Sequence, residues 1–219
     1  MKNSVIKKPA KRSEQVRTQE TKSKILEAAL TEFAGSGFDG VSTRAIASKA
    51  GVNHTLISHH FGSKDALWKA TAEWVFETYT KQFFERREAL NGVEVHAMIR
   101  TLIKNFIEFC AKLPDFHRFM MQANQGDPER LNWLTDRFLK SGSDAELGIL
   151  QQAQELGLMP KGDSLHIRYL FIGAATSIFT FAPEFSRLSG KDPFSDAILE
   201  QHIDYLSRLF SKTNSLETN

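Results

Sequence analysis

Apolar residues along this chain recur at the three- and four-residue intervals of helices packed on one side. Between Thr18 and Gly37 the positions Ile25, Ala28, Ala29 and Phe33 keep that spacing, and Gly35 with Gly37 ends the segment. Phe38 and Val41 lead into two shorter segments. Ser42 is a good N-cap, and Ile46 with Ala47 forms the buried face that follows, which predicts a helix over Thr43–Ala50. Gly51 supplies the left-handed backbone of a tight turn, Val52 plugs the core beneath it, and Asn53 caps a second helix whose buried residues are Leu56 or Ile57 and Phe61. Ser63 is placed to cap a fourth helix beginning at Lys64, with Leu67, Trp68, Trp74 and Val75 pointing its later turns towards the rest of the chain. Two short helices joined by a glycine turn have the arithmetic of a helix-turn-helix, in which the second helix lies in the DNA major groove and the first crosses the backbone. Such pairs also occur in all-α proteins that bind no nucleic acid.

Downstream the pattern stays helical. The charged run at 85–88 reads as a solvated helix end and Asn91-Gly92 as a break. Val95, Ile99, Leu102, Phe106 and Phe109 form a stripe stopped by Pro114, and Asp115 is expected to cap a short helix carrying Phe116, Phe119, Met120 and Met121. Asp127-Pro128 is an N-cap and first-turn pair for a segment with Leu131, Leu134 and Phe138. A Ser-Gly-Ser interruption at 141–143 separates that segment from Leu147, Leu150, Ala153 and Leu156, which Gly157 closes. The helix expected at about 163–182 is apolar on nearly every side and ends at Pro183. The last, at about 193–211, starts from Asp192-Pro193 and carries two neighbouring stripes, one of Ile198, Tyr205 and Leu209, the other of Leu199, Ile203, Leu206 and Phe210. A monomer of 219 residues offers no obvious second layer for both helices. They are therefore read as a homodimer interface that forms a four-helix bundle with a second copy.

Charge sharpens the picture once it is divided. The net +2 conceals +6 over residues 1–69 (12 Lys/Arg, 6 Asp/Glu) and −4 over the remainder (16 and 20). A polyanion is the natural partner of the N-terminal part. Residues 1–17 carry Lys2, Lys7, Lys8, Lys11, Arg12 and Arg17 around Pro9 without apolar periodicity. They are expected to form a flexible basic arm, either a solubilising tail or a strand that tracks phosphates or enters a minor groove. Thr43 and Lys64 sit at helix starts and suit phosphate contacts, while Arg44, Asn53, His54, Thr55 and His59 offer polar groups to base edges or nearby phosphates. Ser42, Ser58 and His60 complete the candidate DNA-binding set.

The run from Ile25 to Val52, followed by His59-His60-Phe61-Gly62-Ser63-Lys64-Asp65-Ala66-Leu67, resembles the N-terminal domain of TetR-family transcriptional regulators over about residues 18–78. The resemblance implies backbone contacts by Thr43, His60 and Lys64, and a guanine contact by Arg44 in some members. It departs from the family pattern at Leu56, where Ser or Thr is usual, and at Ser58, where Tyr is usual. These departures bear on sequence preference rather than on DNA binding. The resemblance further implies an all-α fold with a three-helix helix-turn-helix domain and, over residues 79–219, a larger helical ligand-binding and dimerisation domain.

For that second domain the candidate pocket residues are Phe106, Phe109, Phe116, Phe119, Met120, Gln122, Trp133 and Phe138, with Asn105 and Asn124 as further polar anchors; a solidly packed helical core is the competing reading. His54, His59 and His60 lack the i, i+4 spacing of a helical zinc pair, so no metal is expected, and no motif calls for a cofactor. No nucleophile elbow, phosphate loop or paired-carboxylate pattern argues for an enzyme. The single cysteine, Cys110, reads as a buried thiol in a reducing compartment. With no apolar run near the length of a membrane span and no signal-peptide pattern, the chain is expected to be cytoplasmic. The reading is a dimeric repressor that leaves its double-stranded DNA operator on binding an unidentified small-molecule effector. A DNA-binding regulator controlled by a protein partner, with a core that has no cavity, is the alternative; an α-helical enzyme is the remote one.

Overall fold

The computed structural model describes residues 10–88, 95–159 and 161–210. Among them eleven α-helices and one π-helical turn account for all regular structure. Helices α1 (Ala10–Ser36), α2 (Thr43–Ala50) and α3 (His54–Phe61) build the head, and α4 (Lys64–Glu88) leaves it as one long rod. Then follow α5 (Val95–Lys112), α6 (Pro114–Gln125), α7 (Pro128–Leu134), α8 (Lys140–Glu155), α9 (Ser164–Thr180), α10 (Ala182–Ser189) and α11 (Asp196–Phe210).

The head closes on fully buried Ile25, Ala29 and Phe33 of α1, Ile46 of α2, Ile57 of α3 and Leu67 of α4. This apolar set continues without interruption into the larger part through Val75, Ile107, Phe109 and Phe119. Deleting a side chain such as Phe33 would cost about 3–5 kcal/mol, because a packed core of this kind collapses only partly around a cavity. Helix α6 lies along α1 and joins the head to the rest. Gly37 makes this approach possible. Its φ of 68° turns the chain out of α1, and a Cβ there would stand 2.9 Å from the Gln122 side-chain oxygen on α6.

Several expectations are corrected. Residues 10–17 are helical, continuous with α1, rather than a flexible arm; the run holds good helix formers, and a helix without an apolar stripe leaves no periodicity to read. Residues 1–9, and the break at Asn91-Gly92, lie outside the described residues. Asp115 does not cap α6: Leu113 occupies the cap position without a side-chain bond, and Pro114 starts the helix. The Ser-Gly-Ser at 141–143 does not interrupt the chain, which passes from α7 through a π-helical turn (Thr135–Leu139) directly into α8. Pro183 does not end the apolar helix at 182. The helix stops at Thr180, and Pro183 lies in the first turn of α10, bent 65° away. Asp192 accepts a hydrogen bond from the Phe194 amide at 3.0 Å and caps a turn, so α11 begins only at Asp196. The expected domain boundary near 78–79 falls inside α4.

Candidate DNA-binding surface and internal cavity

The helix-turn-helix is held by the bonds its residue types suggest. Ser42 Oγ accepts from the Ala45 amide at 3.1 Å and starts α2. Gly51, at φ 65°, turns the chain, and the Val52 amide returns to the Ala47 carbonyl at 3.0 Å. Asn53 Oδ1 accepts from the Thr55 amide at 2.9 Å and from the Thr55 hydroxyl at 2.8 Å. The two helices are tied directly: Thr43 Oγ1 lies 2.9 Å from His54 Nε2. Ser63 Oγ accepts from the Ala66 amide at 3.0 Å and starts α4 beside them.

On the outer face Ser42, Arg44, Asn53, Thr55, Ser58 and His59 are exposed, while Thr43, His54, His60 and Lys64 are half-buried. The rings of His59 and His60 meet edge to face with centroids 5.0 Å apart. Partial burial, then the neighbouring His59 and Lys22, push the His60 imidazole below its ordinary value towards the neutral form. Helix α3 itself carries no Lys or Arg. The permanent cations of this face come from Arg44, Lys64 and Lys22 of α1, whose charge reaches His60. The Lys64 ammonium sits 4.5 Å from the centre of the Phe38 ring, which also stacks with Phe33 at 6.0 Å and takes the Arg130 guanidinium at 3.6 Å. Arg130 also approaches Asp127 at 3.5 Å and Asp65 at 3.8 Å. This joint between α4, α7 and the loop after α1 was not foreseen, since nothing local in sequence pairs residue 38 with residue 130.

A cavity of about 650 Å³ lies among α4, α5, α6, α8, α9 and α11, within the range of about 300–1,000 Å³ typical of small-molecule sites. Of the residues expected to line it, Phe106, Phe116 and Met120 do, and so does Asn124. Phe109 and Phe119 are almost completely buried in the packed core instead, and Asn105 is not part of the wall. Gln122 faces a separate polar crevice of about 180 Å³ beside Gly37 and Arg130. Phe138 stacks on Phe76 with centroids 4.6 Å apart, and Trp133 packs on Trp68 at 6.1 Å; neither reaches the cavity. The wall takes in Phe76 and Tyr79 of α4, Phe171 and Thr176 of α9, and Phe210 of α11, none of which was singled out as a liner. The i, i+3, i+4 register of Leu165, Arg168, Ile172 and Thr176 on α9 is the signal that could have found that side.

Cys110 also borders the cavity, and burial pushes its thiol up to about 12, which leaves it protonated and unreactive. His117 Nε2 lies 3.3 Å from Thr176 Oγ1, and desolvation lowers its pKa. Among the described residues no group of three or more His, Cys, Asp or Glu side chains could hold a metal ion. No single described helix is long and apolar enough to cross a membrane.

A capped helix-turn-helix with a polar outer face, carried by an all-α body, defines a DNA-binding transcriptional regulator. Residues 25–71 match the family described as bacterial regulatory proteins, tetR family, so the head carries a TetR-type DNA-binding domain. Curated relatives of the chain include the HTH-type transcriptional regulator RutR of Escherichia coli (strain K12), 26% identical over 210 residues that cover 95% of this chain and 96% of that protein. The HTH-type transcriptional regulatory protein RaaS of Mycobacterium tuberculosis is 52% identical over 54 residues, 25% of each chain. Among solved structures, AibR in complex with isovaleryl coenzyme A and operator DNA superposes with a TM-score of 0.68 at 18% identity, covering 87% of this chain and 98% of its own. A TetR-family transcription regulator from Marinobacter aquaeolei gives 0.66 at 16% identity, covering 90% and 98%. At these identities the structures show the shared fold alone.

Proposed function

We propose that this regulator is a homodimeric, cytoplasmic repressor that holds a double-stranded operator through residues of about 18–78 and releases it when a small molecule occupies the cavity of the 79–219 region. The observation that carries this reading is the cavity itself, because its walls belong to the two helices that reach the head. Phe76 and Tyr79 lie on α4, which begins at Lys64 beside the recognition helix; Phe116, His117 and Met120 lie on α6, which packs along α1. An occupant that displaces either helix changes the aim of the head. It can shift the equilibrium only by its preference for the non-binding arrangement, typically about 1–3 kcal/mol. A partner-controlled regulator with a filled core has no use for a cavity of this size. AibR, crystallised with both isovaleryl coenzyme A and operator DNA, is a relative in fold for which ligand and DNA are both documented.

On DNA, Lys64, Thr43 and His60 hold phosphates, with Ser42 at the start of α2 beside them. Arg44, Asn53, His54, Thr55, Ser58 and His59 read or approach base edges. The dimer forms through α9 and α11. Tyr169 and Leu170 on α9 are 61% and 56% exposed, and Tyr205 and Leu209 on α11 are 58% and 66% exposed. An apolar surface of this extent on a monomer calls for a partner, and a second copy covers both helices symmetrically. No catalytic role is assigned to the chain.

The test is a thermal-shift screen to find an occupant, followed by calorimetric titration of that occupant with and without operator DNA. Linkage requires operator to weaken the occupant by the factor by which the occupant weakens operator. Equal affinities in the two titrations would show that the cavity does not control DNA binding.

A further inference from the structure

One side of the cavity is a chain of rings. Phe106 meets Phe171, and Phe171 meets Phe210, with centroids 5.4 Å apart in each pair, while Tyr79 and Phe106 meet edge to face at 6.2 Å. Phe76 and Phe116 form a further edge-to-face pair at 5.4 Å. All six residues line the cavity, and they come from α4, α5, α6, α9 and α11. Ring edges carry partial positive charge and ring faces partial negative charge, so a wall that offers both takes another ring by the contacts its own members already make.

The same wall carries a polar pair from two helices. His117 of α6 and Thr176 of α9 both line the cavity, and Thr176 is 3% exposed. The Thr176 hydroxyl donates its single hydrogen to the Ile172 carbonyl at 2.8 Å. What it offers His117 Nε2, 3.3 Å away, is an oxygen lone pair, so Nε2 carries a hydrogen and donates it. Burial holds the imidazole below its ordinary value, in the neutral form at physiological pH, and a neutral imidazole has one such hydrogen. Nδ1 is therefore an acceptor, and among the described residues no donor bonds to it. It stays accessible, unlike Gln154 Nε2 and Ser207 Oγ, which are buried without a partner.

We propose that the effector is a hydroxylated aromatic molecule whose hydroxyl donates to His117 Nδ1 and whose rings lodge among Phe106, Phe116 and Phe171. This rests on the reading of the cavity as the effector site. The hydroxyl supplies the hydrogen that Nδ1 lacks, and it brings no full charge among apolar side chains. A methyl ether of the same outline offers only an acceptor and leaves Nδ1 unpaired once water is displaced. A saturated alcohol makes the hydrogen bond and forfeits the ring contacts. Phe116 and His117 lie on α6, which packs along α1, so an occupant held there bears on the helix that joins the cavity to the head.

Isothermal titration of the full chain at neutral pH with 2-naphthol, 2-methoxynaphthalene and decahydro-2-naphthol separates the hydroxyl from the rings. The naphthol should bind about tenfold more tightly than its methyl ether and about fivefold more tightly than the saturated alcohol. His117→Phe should bring the naphthol down to the affinity of the ether and leave the ether unchanged; His117→Gln, whose carbonyl still accepts, should recover part of the loss. Proton–nitrogen correlation spectra of the histidine rings in the wild-type chain should show His117 protonated on Nε2, with Nδ1 shifting when 2-naphthol is added. An ether that binds as tightly as the naphthol, or a free His117 protonated on Nδ1, would overturn the hydroxyl contact. A saturated alcohol that binds as tightly would overturn the aromatic body. Failure of all three to bind, alongside other compounds that raise the melting temperature, would overturn this chemistry and leave the cavity as an effector site. Binding of 2-naphthol as expected, with operator affinity unchanged by it, would uphold the contact to His117 and bring down the effector reading instead.

Discussion

Arg130, in the first turn of α7, holds its guanidinium 3.6 Å from the centre of the Phe38 ring, in the loop that leads into the helix-turn-helix. Residues 92 positions apart in sequence are stacked at the joint between the head and the body. The arginine is only 15% exposed, so the contact is largely desolvated. Arg130→Ala should lower stability by about 1–2 kcal/mol through lost cation–π and stem packing. Arg130→Lys should recover less than half, since an ammonium cannot stack as a plane. Chemical denaturation of the three proteins checks the order, and equal stability of the alanine and wild-type chains would remove this joint from the account.

In the proposed reading Lys64 holds the DNA and Arg44 reads it. Lys64→Ala should weaken all DNA sequences about equally and reduce the salt dependence by about one phosphate contact. Arg44→Ala should relax preference at one base pair by about 1–3 kcal/mol. Binding titrations at several salt concentrations, with a selected operator and its single-base variants, tell the two apart. A Lys64→Ala variant with altered base preference and an unchanged salt slope would reverse the assignment.

The recognition helix has histidines where lysine or arginine is absent, so DNA affinity should depend on pH. His60 is held towards its neutral form in the free protein, below the ordinary value of 6.5, and a phosphate beside it favours the charged form. Binding therefore takes up protons. Affinity should rise as pH falls through the region at and below 6.5, with a slope of up to about one proton from this residue. His60→Gln should flatten that part of the profile. An affinity that falls with acidification in the same range would contradict a phosphate role for His60.

Stability should move the opposite way with pH. Burial lowers His117 and His202 below 6.5 in the folded chain. Their contribution is full above the unfolded value and is lost as pH falls through it, because the unfolded chain then binds more protons. Thermal melts of wild type and the His117→Gln/His202→Gln double variant should diverge above pH 6.5 and converge below it. Parallel curves would show that neither imidazole is desolvated as described.

Leu209, exposed at 66% on α11, should be tolerant of charge in the monomer and intolerant of it in the dimer. Leu209→Glu should leave the helical content unchanged, yield a monomer in sedimentation at micromolar concentration and lose most operator affinity. A Leu209→Glu chain that sediments as the dimer would place the interface elsewhere.

What the sequence makes legible here is local. The caps at Ser42, Asn53, Ser63 and Asp127, and the turn at Gly51, are each decided within a few residues, and each forms the bond its side chain is suited to. The cavity is not local. Of the six aromatic or polar candidates that do not line it, Phe119, Trp133 and Phe138 are carried by α6, α7 and the π-helical turn into packing with Trp68 and Phe76, and a π turn shifts the register that periodicity presumes. Its far wall comes from α9 and α11, which the sequence marks only as apolar. The start of α1 escapes for the converse reason: residues 10–17 hold no apolar stripe to read, although they are helical.

The central claim is that two copies of this recognition helix read one operator together. DNA selected by the full chain from a random-sequence pool, then footprinted with the same protein, tests it most directly. The account predicts a near-palindrome whose half-sites are protected about one helical turn apart, roughly 34 Å, or a multiple of it, with two chains bound per site. A single asymmetric site fully protected by one chain would contradict it.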